Sequence, residues 1–210
     1  MTFITYNPIM SFFPVLMWIF WLSLSTWFGC VLFVAIAAPI IFRVTREYKP
    51  TLPLVLSVNL ENQHADLLGA MIVSALMSVL IRIELCCAVG VFIGIAGQWL
   101  LTDSRASGVV LAMVLRSCLL VAAGTMAIYK WRVLWPRINM NLKQYLDHAD
   151  EPDIANPAKD RFEKDDRENV NVLMITLVML LGLVLYSSNV TSAREYSLPI
   201  QGSKTASPTK

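Results

Sequence analysis

The chain has 210 residues, 56% of them hydrophobic and only 15% charged, with a net charge of +2 and a mean hydropathy of +0.59. A soluble domain carries about 25% charge, so the composition excludes an ordinary soluble globular protein. The near-neutral balance gives no electrostatic footprint for nucleic acid.

Four cysteines, Cys30, Cys86, Cys87 and Cys118, all lie in apolar runs and form no C-x-x-C pair. His64 and His148 are far from them in sequence. Redox and zinc chemistry need exposed thiols or ligand spacing, so small apolar packing residues are expected here, with no cofactor and no metal.

No charged residue occurs from Met1 to Phe42. A membrane crossing needs roughly 20 mostly apolar residues, so this run is a retained span rather than a cleaved leader; it lacks a positive n-region. Pro14 suits the first turn of a helix. The crossing is expected near 19–41, with Phe12–Trp21 at the interface and Trp27 packed against another helix. Pro39, a turn before Arg43, is expected to kink or loosen the helix end.

Arg43–Asp66 reads as a polar loop. Leu67–Ile81 is apolar, Arg82 and Glu84 interrupt it, and Leu85–Leu101 is apolar again. The spacing predicts one long helix, with 67–81 as an extension and 82–101 as the second span; a re-entrant 67–81 segment is the alternative. Gly90 and Gly94 are four apart and flatten one helix face, which lets another backbone approach, from this chain or from a second copy.

Thr102–Ser107 reads as a tight polar turn before a third span at about 107–130. Arg116 lies inside that span. An intramembrane arginine costs about 2.5 kcal/mol or more, so Arg116 is a functional candidate, together with Glu84 and Arg82. It could equally snorkel, or pair with Glu84 or with backbone carbonyls; a direct pair with Glu84 would need offset helices. Ala123 and Ala127 form a second small-residue pair.

Lys130-Trp131-Arg132 and Trp135-Pro136-Arg137 mark the exit, as tryptophans with basic neighbours do. Asn139–His148 could continue the helix, and Asp150–Pro157 reads as a flexible acidic loop. Asp160–Glu168 alternates charge as a solvated helix does and has no EF-hand spacing. A charge-free fourth span follows at about 170–188. Residues 194–210 read as a disordered polar tail after a single membrane domain over 1–193.

The expected fold is therefore all-α, a polytopic bundle of four transmembrane helices. Four spans place both termini on one side. The two long loops hold Arg43, Arg46, Lys49, Lys130, Arg132, Arg137, Lys143, Lys159, Arg161, Lys164 and Arg167, so the positive-inside rule puts those loops in the cytoplasm and both termini outside it. In a bacterium the membrane would be the inner one.

Three patches together resemble the transmembrane protein 205-like family, small four-span proteins of undefined biochemical role. The first is Trp27-Phe28-Gly29, Phe33, Ala38-Pro39 and Phe42, similar to that family's first span. The second is Pro136-Arg137-Ile138, like its P-R-I exit. The third is Phe162-x-x-Asp165-Asp166-Arg167 with Val170 and Asn171, where the family tends to have F-x-x-L-H-R-x-S-V-x-x-N. Asp166 stands where the histidine would be, and Asn169 where the serine would be, so no imidazole role carries over. The resemblance implies a four-span layout and no particular reaction.

No nucleophile elbow or phosphate-binding glycine loop is present, and no enzyme is expected. The leading expectation is a non-enzymatic membrane protein that acts in the bilayer through helix packing, as a homo-oligomer or an accessory subunit of a membrane-protein partner. The alternative is a small transporter or ion-handling protein using Arg116 with Glu84 and Arg82, although no inverted repeat is visible.

Overall fold

The computed structural model describes residues 13–48, 64–101, 107–148 and 151–197. They form α1 (Phe13–Tyr48), α2 (His64–Leu101), α3 (Ser107–Tyr129), a π turn (Lys130–Leu134), α4 (Trp135–Asp147) and α5 (Pro152–Ser197). α3, the π turn and α4 run on as one rod. The result is an all-α bundle of four rods, each long and apolar enough to cross a membrane.

The helices alternate in direction, and their side-chain contacts fix the register. On α1 and α2, Leu16 faces Gly97, Phe20 faces Gly94, Ser23 faces Gly90, and Phe42 with Thr45 faces Gly69. On α2 and α3, Gln98 meets Arg116, and Glu84 meets Lys130. On α3 and α5, Leu119 lies by Gly182, and Tyr129 reaches Glu168. α1 also packs along α5, which closes the ring.

A seam of buried residues at alternating three- and four-residue steps lines the interior of each rod. It runs through Phe20, Leu24, Trp27, Val31 and Val34 on α1, and through Met77, Leu80, Cys87, Val91 and Ile95 on α2. Leu120, Ala123 and Ala127 supply α3, and Leu173, Leu180 and Leu183 supply α5. This spacing is the coiled-coil seam of an antiparallel four-helix bundle.

The register aligns α1 with α2 differently from the expected spans. The apolar run of α1 extends to Phe42, so the first charge suggested a span at 19–41. Packing instead sets residues 13–31 beside the second span, 82–101. Phe20 is fully buried between the helices, while Trp18 stays 77% exposed on the outer face. The glycine face of α2, not the end of the apolar run, determines which part of α1 lies level with the other spans.

Two irregularities expected from proline are absorbed into helix. α1 passes through Pro39 and ends at Tyr48; beyond the proline, the Thr45 hydroxyl donates to the carbonyls of Ile41 and Phe42. α5 begins at Pro152, so most of the segment expected as a loop is helical, with Pro157 inside it. Proline at a first helical position loses no hydrogen bond and brings a pre-set φ. α2 has no break between 67–81 and 82–101. α5 continues through Ser197, past the expected start of the tail; 198–210 lie outside the described residues, as do 49–63 and the turn at 102–106.

The π turn has a local cause. Pro136 has no N–H for the carbonyl of Arg132, and its ring would crowd that carbonyl in a regular α-helix. Widening the preceding turn relieves the conflict, and the Trp135 N–H donates to the carbonyl of Lys130, five residues back.

Thirty-six residues of α1 span about 54 Å at 1.5 Å per residue, against a hydrocarbon core of about 30 Å. The bundle is therefore longer than a bilayer is thick. Exposed Arg82 and Arg132 and the Glu168–Tyr129 contact stand at one level, and the 20 residues of α2 from that level to Leu101 rise about 30 Å, the thickness of a hydrocarbon core. The other half of the bundle projects past this level. Arg132 also lies 4.4 Å above the ring of Trp131, a cation–aromatic pair at the expected boundary.

Candidate functional site at the polar end of the bundle

Four rods meet around a cavity of about 690 Å³ in the projecting half. Pro39 and Phe42 of α1, Leu67 of α2, Leu142 of α4 and Phe162 of α5 form its apolar lining. Arg43 and Arg46, Asp66, and Lys159, Glu163, Asp166 and Arg167 bring charge to it from α1, α2 and α5. Tyr145 adds a buried phenol from α4 and belongs to a small core with Leu67, Ala155 and Ala158 that joins the rods beneath it.

The charges are unevenly paired. Arg46 Nε lies 2.6 Å from Asp66 Oδ1, joining the ends of α1 and α2. Glu163 serves two cations loosely, Arg167 at 3.7 Å and Lys159 at 4.0 Å. Arg43 and Asp166 have no ion-pair or hydrogen-bond partner among the described residues. Four cations and three carboxylates beside an apolar lining can hold an amphiphile with a charged head.

Next to the cavity, Asp165 is buried and points the other way along α5. Its carboxylate accepts from Arg137 Nη2 at 2.8 Å and from Asn141 Nδ2 at 2.8 Å. Those donors fix α4 against α5 and thereby hold Asp166, the next residue, toward the cavity. The resemblance singled out Asp166; the structural role of its neighbour Asp165 has no signal in sequence other than its place one turn before buried Asn169.

The remaining sequence candidates are distributed through the fold. Pro39, Phe162, Asp166 and Arg167 line the cavity, and Arg137 supports it through Asp165. Pro136 sits at the π turn. Trp27 is fully buried in the main core, and its indole N–H has no hydrogen-bond partner among the described residues. Gly29 faces open space, and Asn171 is exposed. Ala123 and Ala127 are buried in the core.

Gly90 and Gly94 pack inside the chain. A Cβ on Gly94 would stand 2.6 Å from the Cβ and 3.1 Å from the Cα of Phe20; one on Gly90 would collide with the Ser23 side chain. Gly97 continues the same face against Leu16. That flat face is filled by α1 of the same chain.

The intramembrane charges do not meet one another. Arg116, 3% exposed, donates through Nη1 to Gln98 Oε1 at 2.9 Å and stacks 4.9 Å above the ring of Phe20. Gln98 Nε2 in turn donates to Met17 Sδ at 3.2 Å. Glu84 pairs with Lys130 instead, because the antiparallel register puts Glu84 and Arg116 about four turns apart. Arg82 lies on the outer face. Lys130, read from sequence as an exit anchor, is the residue that sequence reasoning missed. It follows Ala123 and Ala127 at the next seam position, and that spacing was the available signal.

Cys87 is buried in the core, Cys30 is half-buried, and Cys86 and Cys118 are exposed. No group of three metal-binding side chains occurs among the described residues. No family model, no curated protein and no solved structure matches the chain.

Proposed function

We propose that this is a non-enzymatic multi-pass membrane protein that works by binding, as an accessory subunit or a homo-oligomer, with the polar-end cavity as its working site. One observation carries the reading: all four rods deliver side chains to a single amphiphilic cavity, while the bundle interior is occupied by its own pairs. Pro39, Phe162, Asp166 and Arg167 line that cavity, which supports kinship with the transmembrane protein 205-like family. The basic loops support an orientation with the cavity in the cytoplasm and both termini outside it, in the plasma or inner membrane.

Native mass spectrometry of the protein extracted in mild detergent from its own membrane tests the assembly. Defined partner chains or a fixed homo-oligomer are expected; a lone chain in every detergent overturns the accessory reading. A reporter fused after Lys210 tests orientation, and a cytoplasmic signal overturns it.

A second reading, ion or solute handling, draws on the burial of Glu84 and Arg116 in the α2–α3 seam. Reconstituted flux separates the two. Arg116→Leu leaves a binding protein folded and functional, whereas a transporter using this path folds but loses flux.

A further inference from the structure

We infer that the polar-end cavity is a site for the headgroup of an anionic phospholipid; this rests on the proposal that the cavity is the working site. The cavity begins beside Glu168, at Arg167 and Asp166, level with Arg82 and Arg132 where a bilayer crossing ends and lipid headgroups lie, and runs outward from there. Its lining matches the two parts of such a molecule. Pro39, Phe42 and Phe162 offer apolar surface for the glycerol backbone and upper acyl chain.

The cations beside them are arranged for a phosphodiester. Arg43 has no carboxylate to answer it among the described residues. Lys159 and Arg167 share a single one, Glu163, at distances too long for a tight pair. An incoming phosphate therefore meets cations without first breaking a strong ion pair. The Arg46–Asp66 bridge, by contrast, is already satisfied at 2.6 Å and holds the wall.

Asp166 narrows the ligand further. A carboxylate with no cation paired to it would repel a bare phosphate but accepts hydrogen bonds from a hydroxyl or amine. The favoured headgroup thus has a phosphodiester and a donor, as phosphatidylglycerol does and phosphatidylcholine does not. The positive-inside orientation places this site in the cytoplasmic leaflet, where anionic lipids gather basic side chains.

The test is native mass spectrometry of the purified full chain titrated with phosphatidylglycerol or phosphatidylcholine of the same acyl chains. Phosphatidylglycerol is expected to be retained about tenfold more tightly, the scale of one charge-assisted hydrogen bond. The double variant Arg43→Gln/Lys159→Gln should abolish the preference, and Arg43→Lys/Lys159→Arg should keep it. Lys143→Gln, exposed on another face of α4, should leave it unchanged. Asp166→Leu should weaken phosphatidylglycerol and leave phosphatidylcholine alone.

Equal retention of the two lipids, or a preference that survives the double variant, overturns the inference. Displacement of the lipid by inorganic phosphate alone overturns it in favour of a soluble phosphate compound. Leu142→Trp fills the cavity, with Leu67→Trp from another wall as its substitute should the first not fold. If both lipids bind equally and both are lost on filling, headgroup selection fails but the cavity remains the working site. If filling changes neither, both readings fail.

Discussion

Lys130 Nζ lies 2.6 Å from Glu84 Oε1, with the two side chains 1% and 0% exposed. This pair joins the start of the π turn to the middle of α2, level with exposed Arg82 and Arg132. The second carboxylate oxygen of Glu84 has no hydrogen-bond partner among the described residues, and the indole N–H of Trp27, less than a turn away along the bundle, has none either. The pair therefore fixes the register of α2 against α3 at a cost in desolvation, and much of its value lies in excluding other alignments.

A double-mutant cycle at this pair gives the first prediction. Glu84→Leu or Lys130→Met alone leaves an uncompensated buried charge and should cost about 3–5 kcal/mol. The double variant should recover most of that loss, because two apolar side chains replace a pair whose desolvation its attraction barely offsets. Thermal unfolding in detergent measures all three. Additive losses would show that the two residues act independently.

The glycines give the second prediction. Gly94→Ala drives a Cβ onto the backbone of Phe20 and should cost about 1–3 kcal/mol, as overpacking does. Gly124 has nothing within 4 Å of its Cβ position, so Gly124→Ala should gain about 0.5–1 kcal/mol from helix propensity. The oligomeric state should be the same in both, since the Gly90–Gly94 face is filled by α1. A change in assembly size with unchanged melting would mean that the face serves a second copy.

The fold class was readable from sequence because length and charge-free runs are sufficient to identify membrane helices. The register was not. In a soluble helix the apolar stripe marks the core, but here the outer face meets lipid and is equally apolar, as Trp18, Leu22, Phe92 and Leu111 show. The inner face is marked instead by its rare polar members: Glu84 and Gln98 on α2, Arg116 and Lys130 on α3, and Asn169 and Thr176 on α5. Each falls on a three- or four-residue step with Leu80, Ile95, Leu120, Ala127 or Leu173. Matching those steps between α2 and α3 would have paired Glu84 with Lys130 rather than with Arg116. The cavity was less accessible still. Its lining comes from positions more than a hundred residues apart, such as Arg43 and Arg167, and only the bundle closure between α1 and α5 brings them together.

Arg116 gives the third prediction. Its single hydrogen bond goes to Gln98, its Nε is buried without a partner, and burial in the span makes the guanidinium costly. Arg116→Leu should therefore leave stability unchanged or higher, while Gln98→Leu alone should destabilise by about 1–3 kcal/mol by leaving the guanidinium without its acceptor. Urea or thermal unfolding in detergent distinguishes these signs. A large loss in Arg116→Leu would show that the stacking on Phe20 outweighs the charge burial.

The buried carboxylate behind the cavity gives the fourth. Asp165 accepts from Arg137 and Asn141, so Asp165→Leu removes the acceptor of two donors at once and should cost about 1–3 kcal/mol. Arg137→Gln should cost less, because the guanidinium is 45% exposed and water can take its place. The two substitutions should also differ at the cavity. Asp165→Leu frees α4 from α5 and should weaken lipid retention even though Asp165 itself does not line the site. Arg137→Gln leaves Asn141 holding the carboxylate and should spare it. Native mass spectrometry beside a melting curve separates the effects, and equal lipid retention in both variants would show that the cavity keeps its shape without this clasp.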